Sequence, residues 1–287
     1  MPLAVQRPRD WNTARGRISL DPPLIVGILN VTPDSFSDGG RFVTLEAAVR
    51  HAGELVTAGA GMLDVGAEST RPGAARVSDD EEWRRLAPVL DGLAREMPAV
   101  PVSVDTTRSR TAARALDAGA WVINDVSGLR LDAAIADECA RRGAGLVLMH
   151  SRGSVAEMAT YDLAQYADVT ADVARELEGS IDRALRRGVA RGRLVLDPGL
   201  GFAKTPEQSL TVLRGLADLA RFGLPIMIGP SRKRFLGAVT GRDVAERDAA
   251  TAAACAMGYL FGASIFRVHA VAPTRDALAM AHALSAN

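Results

Sequence analysis

Polar side chains of several chemical types stand at the ends of apolar runs throughout this sequence. They are Asn30, Glu68, Asp105, Asn124 with Asp125, His150, Asp197, Ser231, Arg267 and His269. Each of them alone could be a helix cap or a turn residue, since Asp, Asn and Ser often satisfy local backbone groups. Simple caps need not mix carboxylates, amides, imidazoles and a guanidinium. The joint pattern therefore favours the active site of an enzyme.

Cations gather after the seventh apolar run and inside the eighth. Residues 229–237 read GPSRKRFLG and bring three cations and a hydroxyl together. Arg267 lies in the run IFRVH, where a guanidinium can bind an anion through two parallel hydrogen bonds. A solvated basic turn is the alternative for the first segment, but the apolar neighbours of Arg267 and His269 argue against exposure. The pattern predicts a phosphate site, which barrels often build from their last two loops.

Eight short apolar runs supply the elements that must position these side chains. The predicted strands are Leu24–Asn30, Met62–Gly66, Val102–Asp105, Trp121–Asp125, Gly145–His150, Leu194–Asp197, Pro225–Gly229 and Ser264–His269. They are continuous rather than alternating, as is typical of parallel strands buried on both faces. Helical stripes lie between them, for example at Val169, Val173, Leu177, Ile181 and Leu185.

Eight strand–helix units in 287 residues predict a single-domain α/β protein with a (β/α)8 TIM-barrel fold. The carboxyl ends of its strands would bring the polar residues to one mouth. A doubly wound open sheet is the alternative, but no G-x-G-x-x-G motif follows the first strand. Residues 1–23 are expected to be an N-terminal extension, in which Gly16–Leu20 could form a short strand at the barrel bottom. Residues 24–287 would form the barrel.

Composition excludes several other classes of protein. Lys plus Arg and Asp plus Glu both number 34, so the net charge is zero, whereas nucleic-acid binders usually carry a basic excess. The two cysteines, Cys139 and Cys255, are isolated and form neither a disulfide framework nor a metal-ligand pair. No apolar run is long enough to span a bilayer, and the N-terminus lacks an apolar signal core. We therefore expect a cytoplasmic enzyme with small-molecule substrates and no nucleic-acid or membrane partner.

The order of the motifs resembles that of the dihydropteroate synthases. GILNVTPDSFSDGG, ESTRPGA, SVDT, INDVSG, VLMH, LDPGLGFAKT, SRKRFLG and FRVH follow one another over residues 24–271. Each block is modestly specific, but eight in this order are very specific. The resemblance implies a pterin-binding barrel over residues 24–287. It also implies a transferase of the alkyl/aryl class in folate biosynthesis, which joins 6-hydroxymethyl-7,8-dihydropterin diphosphate to para-aminobenzoate and releases diphosphate.

The resemblance also implies roles for individual residues. Pterin and diphosphate binding falls to Thr70, Asp105, Asn124, Met149, Asp197, Lys233, Arg267 and His269. Binding of para-aminobenzoate falls to Arg71, Phe202 and Ser231, and Asn30 matches a Mg²⁺ ligand. Asp105, Asp197, Lys233 and Arg267 would be catalytic. Diphosphate would leave early once neutralised, the two carboxylates would stabilise the pterin cation, and the aniline nitrogen would attack last.

Two positions depart from the family pattern, and two rival functions remain. Ala67 stands where a second Gly is common before Glu68, and Pro230 precedes Ser231 where a small or branched residue is usual. Both departures concern loop stiffness and replace no functional residue.

A pterin-dependent methyltransferase would share the pterin pocket but would not need the diphosphate clamp. A catalytically silent relative should have lost residues of the mouth, and none is lost.

Three further expectations concern partners, inhibitors and loops. The family usually dimerises through late barrel helices, so a homodimer through Ala250–Leu260 is expected. Sulfonamides should inhibit by competing with para-aminobenzoate, because no inserted Phe-Gly alters residues 202–204. The Gly- and Pro-containing segments 31–41 and 69–77 should be mobile lids without ligand.

Overall fold

The computed structural model of this protein describes residues 7–31, 45–68 and 77–285. The strands are β1 (Asp10–Thr13), β2 (Gly16–Ser19), β3 (Leu24–Asn30), β4 (Met62–Gly66), β5 (Val102–Asp105), β6 (Val122–Asp125), β7 (Gly145–Met149), β8 (Leu194–Asp197), β9 (Met227–Ile228) and β10 (Ile265–Val268). The helices are α1 (Leu45–Ala58), α2 (Asp79–Glu96), α3 (Ser109–Asp117), α4 (Ala134–Arg142), α5 (Val169–Arg186), α6 (Pro206–Arg214), α7 (Arg234–Thr240), α8 (Asp248–Leu260) and α9 (Val271–Ser285).

Eight parallel strands form a closed barrel. Strands β3 to β8 lie side by side in chain order, β10 pairs with β3, and β9 pairs with β10. The ring closes through a parallel bridge between Leu196 and Ile226 and through the hydrogen bond from the Leu196 N–H to the Pro225 carbonyl (2.9 Å). The (β/α)8 prediction is therefore confirmed. The doubly wound alternative is wrong, because its two edge strands would not meet.

The predicted strands differ from the observed ones mainly in length. Four of them, at Leu24–Asn30, Met62–Gly66, Val102–Asp105 and Leu194–Asp197, have the observed bounds. The other four are shorter than predicted, and only Met227–Ile228 of the seventh run is a strand. Pro225 has no N–H to donate, and Gly229 leads directly into Pro230, so the ladder ends early on both sides.

Amphipathic helices cover the outside of the barrel. The predicted stripe of α5 is buried at Val169, Val173, Leu177 and Ile181. The helix begins where the Asp168 carboxylate accepts the backbone N–H groups of Thr170 and Ala171. Its one-sided burial is what packing against a parallel sheet requires. Within the described ranges, no helix combines the length and the apolar character needed to cross a membrane.

An N-terminal hairpin covers the bottom of the barrel, the end opposite the carboxyl ends of the strands. Strands β1 and β2 pair antiparallel with each other and not with the barrel. Trp11 is fully buried, and its Nε1–H donates to the Arg193 carbonyl (2.8 Å). It packs with the side chains that fill the lower barrel, among them Val26, Met62, Val122, Val147, Val195, Met227 and Ile265. The lower barrel is therefore an apolar core, and polar chemistry is confined to the mouth.

Candidate active site

The upper layer of the barrel interior is polar and centres on Asp64 of β4. This side chain is fully buried. Its Oδ2 accepts hydrogen bonds from Arg267 Nε (2.6 Å) and Asn124 Nδ2 (3.2 Å), and its Oδ1 accepts the hydroxyl of Ser103. Three donors from three other strands thus replace water around one carboxylate. A charge that is expensive to bury alone is held at the centre of the barrel by this arrangement.

Arg267 joins Asp64 to Asp105 at the rim of the mouth. Its Nη2 lies 3.1 Å from Asp105 Oδ2, so one guanidinium serves two carboxylates. Burial raises the pKa of Asp105, the nearby charge of Asp64 adds to the rise, and Arg267 opposes it. Two ionised acids around one cation leave an excess negative charge. This excess favours either a proton on Asp105 or positive charge on a ligand beside it.

Asn124 offers an acceptor that the protein itself does not satisfy. Its side chain is buried, and its Nδ2 is taken by Asp64, but among the residues that the structure describes its Oδ1 has no hydrogen-bond partner. A buried amide oxygen left in this state costs about 1–3 kcal/mol. A ligand that places an N–H group against this oxygen would recover that free energy. The mouth is therefore suited to a ligand with hydrogen-bond donors along one edge.

Asp197 and Lys233 form a second polar pair across the mouth. Asp197 Oδ1 accepts the N–H of Gly199 (2.7 Å), and Lys233 Nζ donates to the Leu200 carbonyl. Burial raises the pKa of Asp197, with Lys233 opposing the rise. Burial lowers the pKa of Lys233 to about 7, with Asp197 opposing the fall and Arg267 adding to it. Lys233 can therefore change protonation near neutral pH.

An apolar wall lies next to this pair. Lys233 Nζ is 4.0 Å from the centre of the Phe202 ring, a cation–π contact. Phe202 packs against a small buried cluster of Val126, Met149, Val155 and Met158. Met149 is paired in register with Asp197, so its side chain belongs to the same level of the barrel. Phe202 and Met149 thus supply a flat apolar surface beside the carboxylates, as a planar ring requires.

The polar side chains of the segment after β9 have different partners. The Ser231 hydroxyl lies 2.9 Å from His269 Nδ1 and accepts the His269 N–H (3.2 Å), which places Ser231 beside the end of β10, two residues beyond Arg267. Arg232 instead forms a two-pronged ion pair with Asp248 (2.7 and 2.8 Å). Arg234 lies over the ring of Tyr161 and donates to a carbonyl. Two of the three cations predicted for this segment are therefore engaged by other parts of the protein.

Asn30 ends β3 at the mouth and is half-buried. Its neutral amide oxygen is a hard donor of the type that Mg²⁺ accepts. In the described ranges, no group of three His, Cys, Asp or Glu side chains could hold a metal ion. Asn30 would thus suit a Mg²⁺ ion that took its other ligands from substrate oxygens and water. Thr70, Arg71 and most of the two expected lids lie outside the described residues.

Glu68 takes part in a buried network at the foot of the second loop. Arg108 pairs with Glu68 (2.8 Å) and Glu82 (3.0 Å), and its Nη2 donates to the carbonyl of Val77 (2.7 Å). The N–H of Val77 in turn donates to Glu68 Oε1 (3.3 Å). Residues 68 and 77, which flank the segment with Thr70 and Arg71, are thereby fixed to α3 through one guanidinium.

Two central residues were not singled out by the sequence patterns. Asp64 sits inside the apolar run MLDVG, where a carboxylate needs a buried partner, and that requirement could have linked it to Arg267. Lys204, in GFAKT, is fully buried although its neighbours give no apolar periodicity. Its Nζ lies 2.8 Å from His150 Nδ1, 3.1 Å from the Phe202 carbonyl and 3.2 Å from the Gly199 carbonyl.

His150 connects this network to the protein surface through Glu176. Its Nε2 lies 3.0 Å from Glu176 Oε2, and Glu176 is also paired with Arg152. Burial and the charge of Lys204 lower the pKa of His150 to about 4, with Glu176 opposing the fall. The imidazole is therefore neutral at neutral pH. It accepts from Lys204 at Nδ1 and donates to Glu176 at Nε2.

Comparisons with known proteins agree with this geometry. A family model described as "Pterin binding enzyme" matches residues 26–269. The dihydropteroate synthase of Mycobacterium leprae is 46% identical over 267 residues, covering 91% of this chain and 93% of the relative. A solved dihydropteroate synthase of Xanthomonas albilineans with 4-aminobenzoic acid superposes with a TM-score of 0.90 at 42% identity, covering 97% of this chain and 99% of that one. That of Yersinia pestis with a sulfonamide drug gives 0.90 at 36% identity, with coverage of 97% and 100%.

The low pKa of His150 predicts a specific loss of stability in acid. The unfolded chain takes up a proton at this imidazole near pH 6.5, whereas the folded protein does so only near pH 4. Stability from this group is thus complete above pH 6.5 and is lost as the pH falls toward 4, by up to about 1.4 kcal/mol per pH unit. Urea unfolding of wild type and His150→Gln between pH 7 and 4.5 should show a shallower acid loss in the variant.

The comparison must be made between variants, because Asp105 and Asp125 act with the opposite sign. Burial raises the pKa of Asp125 to about 6, and the pKa of Asp105 is also raised, so both stabilise the fold as the pH falls. Ser180→Ala, which truncates a buried side chain on α5 without removing a titrating group, is the matched control. Its curve should run parallel to wild type. A parallel curve for His150→Gln would contradict the assignment.

Proposed function

This chain belongs to the dihydropteroate synthases, and we propose that the two halves of its barrel mouth hold the two halves of the first substrate. It is a transferase of folate biosynthesis that condenses 6-hydroxymethyl-7,8-dihydropterin diphosphate with para-aminobenzoate to give 7,8-dihydropteroate and diphosphate. The names of the relatives disfavour the methyltransferase alternative. Asp105, Asn124, Asp197, Lys233 and Arg267 all stand in the mouth, which speaks against a silent relative.

The pterin half is proposed to bind at Asn124, Asp197 and Lys233, and the unsatisfied Oδ1 of Asn124 carries this assignment. A pterin edge presents amine and lactam groups, so it can donate to this oxygen and to the carboxylate of Asp197. Lys233 can donate to a ring acceptor, and Met149 with Phe202 supplies the apolar surface for the ring. Buried polar groups that are complementary in this way discriminate strongly against rings without the same donors.

The diphosphate half is proposed to bind at Arg267, Ser231 and His269. Arg267 already lies in the mouth, with Asp64 fixing its Nε and thereby its orientation. The Ser231 and His269 side chains are 2.9 Å apart and can both donate to phosphate oxygens once substrate is present. Mg²⁺, with Asn30 as its side-chain ligand, would neutralise charge on the leaving diphosphate. Thr70 and Arg71 are proposed to complete this half.

Asp105 and Asp197 are proposed to stabilise positive charge on the pterin as its bond to diphosphate breaks. Asp105 shares Arg267 with Asp64, so the three groups carry an excess negative charge that a pterin cation would balance. Para-aminobenzoate is proposed to lie against Phe202 and Ser231, with Arg71, and to attack through its amine. A covalent enzyme intermediate is not needed. The two cysteines could not supply one, because burial raises the pKa of both thiols.

Replacing Arg267 tests the diphosphate assignment. Arg267→Ala should lower kcat/KM for the pterin substrate by roughly 100-fold or more, the usual effect of losing a donor to developing charge. It should also lower stability, because the buried Asp64 loses its ion-pair partner. Arg267→Lys keeps a positive charge near Asp64 but cannot form two parallel hydrogen bonds to a phosphate. It should therefore retain stability better than activity, which separates the two effects of Arg267→Ala. Lys233→Ala should instead weaken pterin binding.

Diphosphate release, measured with and without para-aminobenzoate, is the assay for these variants. Activity of the wild type should disappear in excess chelator and return when Mg²⁺ is added. Full activity of Arg267→Ala, or full activity in chelator, would overturn the proposed diphosphate site.

Sulfonamides should inhibit by occupying the proposed para-aminobenzoate site. The complex of the Yersinia pestis relative with a sulfonamide drug supports this expectation. Initial rates at several concentrations of para-aminobenzoate should give a higher apparent KM and an unchanged kcat. An N-acetylated sulfonamide is the control, since its blocked amine should make it a poorer competitor. Rates that stay unchanged at drug concentrations far above that of para-aminobenzoate would contradict the assignment.

We further propose that the enzyme acts as a cytoplasmic homodimer. Helices α8 and α9 pack on each other and expose the apolar side chains Met257, Leu260, Met280 and Leu284. Clustered exposed apolar residues commonly mark protein interfaces. Light scattering at micromolar concentration should give the mass of a dimer, and Met280→Asp with Leu284→Asp should give a monomer. A wild type that is monomeric under these conditions would refute the dimer.

A further inference from the structure

Lysine is almost absent from this protein, and both lysines lie at one place. Of the 34 basic residues, only Lys204 and Lys233 are lysines, and every other one is arginine. Arginine is therefore the ordinary cation of this chain, used on the surface and in the buried ion pairs alike. The two exceptions bind neighbouring parts of the same loop, residues 198–205. Lys233 belongs to the proposed pterin site, whereas the proposed reaction has no use for Lys204.

The surroundings of Lys204 explain why a lysine is required. Its Nζ has three acceptors within 3.2 Å, one imidazole nitrogen and two backbone carbonyls. Three donors around a single nitrogen are what an ammonium provides, whereas the planar guanidinium of arginine spreads five donors over a larger fork. Burial and the charge of Lys233 lower the pKa of Lys204, and Asp197 and Glu176 oppose the fall. The complete set of acceptors argues for the charged form at neutral pH.

The loop that Lys204 contacts has backbone conformations outside those of helix and strand. Gly199 and Ala203 both have positive φ, 67° and 45°, and a Cβ at Gly199 would overlap the carbonyl oxygen of His150. A non-glycine residue such as Ala203 in this region is strained. The carbonyls of Gly199 and Phe202 are fixed by Lys204 from within, and that of Leu200 by Lys233 from the mouth. The same loop supplies the Gly199 N–H to Asp197 and the ring of Phe202 to the mouth.

The charge of Lys204 has a balancing charge at the protein surface. The neutral imidazole of His150 joins it to Glu176, whose pKa is lowered to about 2 by its hydrogen bonds to His150 and Arg152 despite opposition from burial. A buried ammonium is thus paired with a carboxylate through an imidazole, not left alone. On its other side Lys204 faces Asp197, whose ionised form it favours.

We propose that Lys204 is a positioning residue for the pterin end of the site. It holds the loop carbonyls so that Asp197 and Phe202 keep their places, and it contributes positive charge from behind Asp197. This inference rests on the proposed function of that site but assigns a role to a residue that does not touch substrate. The groups that face Asp197 or Lys204 are Lys233, Arg267, His150, Glu176 and Arg152.

The test replaces Lys204 by methionine, which keeps the unbranched stem and removes the charge and the donors. The kcat/KM for the pterin substrate should fall by roughly tenfold or more. The acid limb of its pH profile should move to higher pH, since loss of a nearby cation makes Asp197 easier to protonate. Lys204→Arg should not restore activity, because its fork cannot meet three acceptors that converge on one point.

Val212→Ala is the matched control, because it truncates a buried side chain of α6 without touching the loop. It should lower thermal stability while leaving the pH profile in place. If Lys204→Met lowers activity no more than a control of equal stability, with an unmoved acid limb, the residue is merely structural and the proposal fails. If the wild type itself forms no dihydropteroate, the proposed function fails instead, and a second readout decides the role of Lys204.

That readout uses the rarity of lysine. Protein labelled with ¹⁵N-lysine contains only two labelled side chains, and the signal missing from Lys204→Met identifies Lys204. In the wild type this signal should be that of an ammonium protected from solvent exchange at neutral pH. Addition of pterin alone should shift it, since the loop it holds lines the pterin pocket. A neutral or rapidly exchanging amine, or a signal unmoved by saturating pterin, would overturn the proposal.

Discussion

The ion pair of Asp64 and Arg267 is the interaction on which the mouth of this barrel depends. A carboxylate and a guanidinium placed in the barrel interior would each carry a large desolvation cost if alone. Together they are separated by 2.6 Å and joined by Asn124, Ser103 and Asp105 into one network. Four strands therefore meet through polar contacts where a typical barrel layer would be filled with aliphatic side chains. The lower barrel compensates by being wholly apolar around Trp11.

Most polar groups of this network have hydrogen-bond or ion-pair partners within the protein. The groups that lack a full set of partners indicate what kind of ligand the mouth can bind. Asn124 Oδ1 lacks a donor within the described ranges, Asp105 shares its counter-ion with Asp64, and the Lys233 ammonium has a pKa lowered to about 7. Each imperfection weakens the ligand-free protein slightly and would be repaired by a polar ring with a positively charged transition state. Preorganised groups of this kind stabilise developing charge without reorganising at the moment of reaction.

The sequence predicts the scaffold better than it predicts the pairing within the site. The strands are recognisable because both faces are buried, so their apolar runs are continuous, and only the run beginning at Pro225 is much overextended. The role of Asp64 could not be predicted from local sequence, because its partner Arg267 lies 203 residues away and only barrel closure brings the two together. The ion pair of Arg232 could not be predicted either, since its partner Asp248 lies in α8 and no local sequence pattern marks the pair. Lys204 is buried by tertiary contacts alone.

The hairpin under the barrel has a consequence for traffic through the enzyme. Because Trp11 and its neighbours fill the lower barrel, nothing as large as a substrate can pass from one end to the other. The lower end of the barrel is closed, and its mouth is open. Both substrates and both products therefore pass through the mouth, so the substrate that binds deepest must enter before its partner. The closed lower end of the barrel thereby imposes an order of substrate binding that the chemistry alone does not dictate.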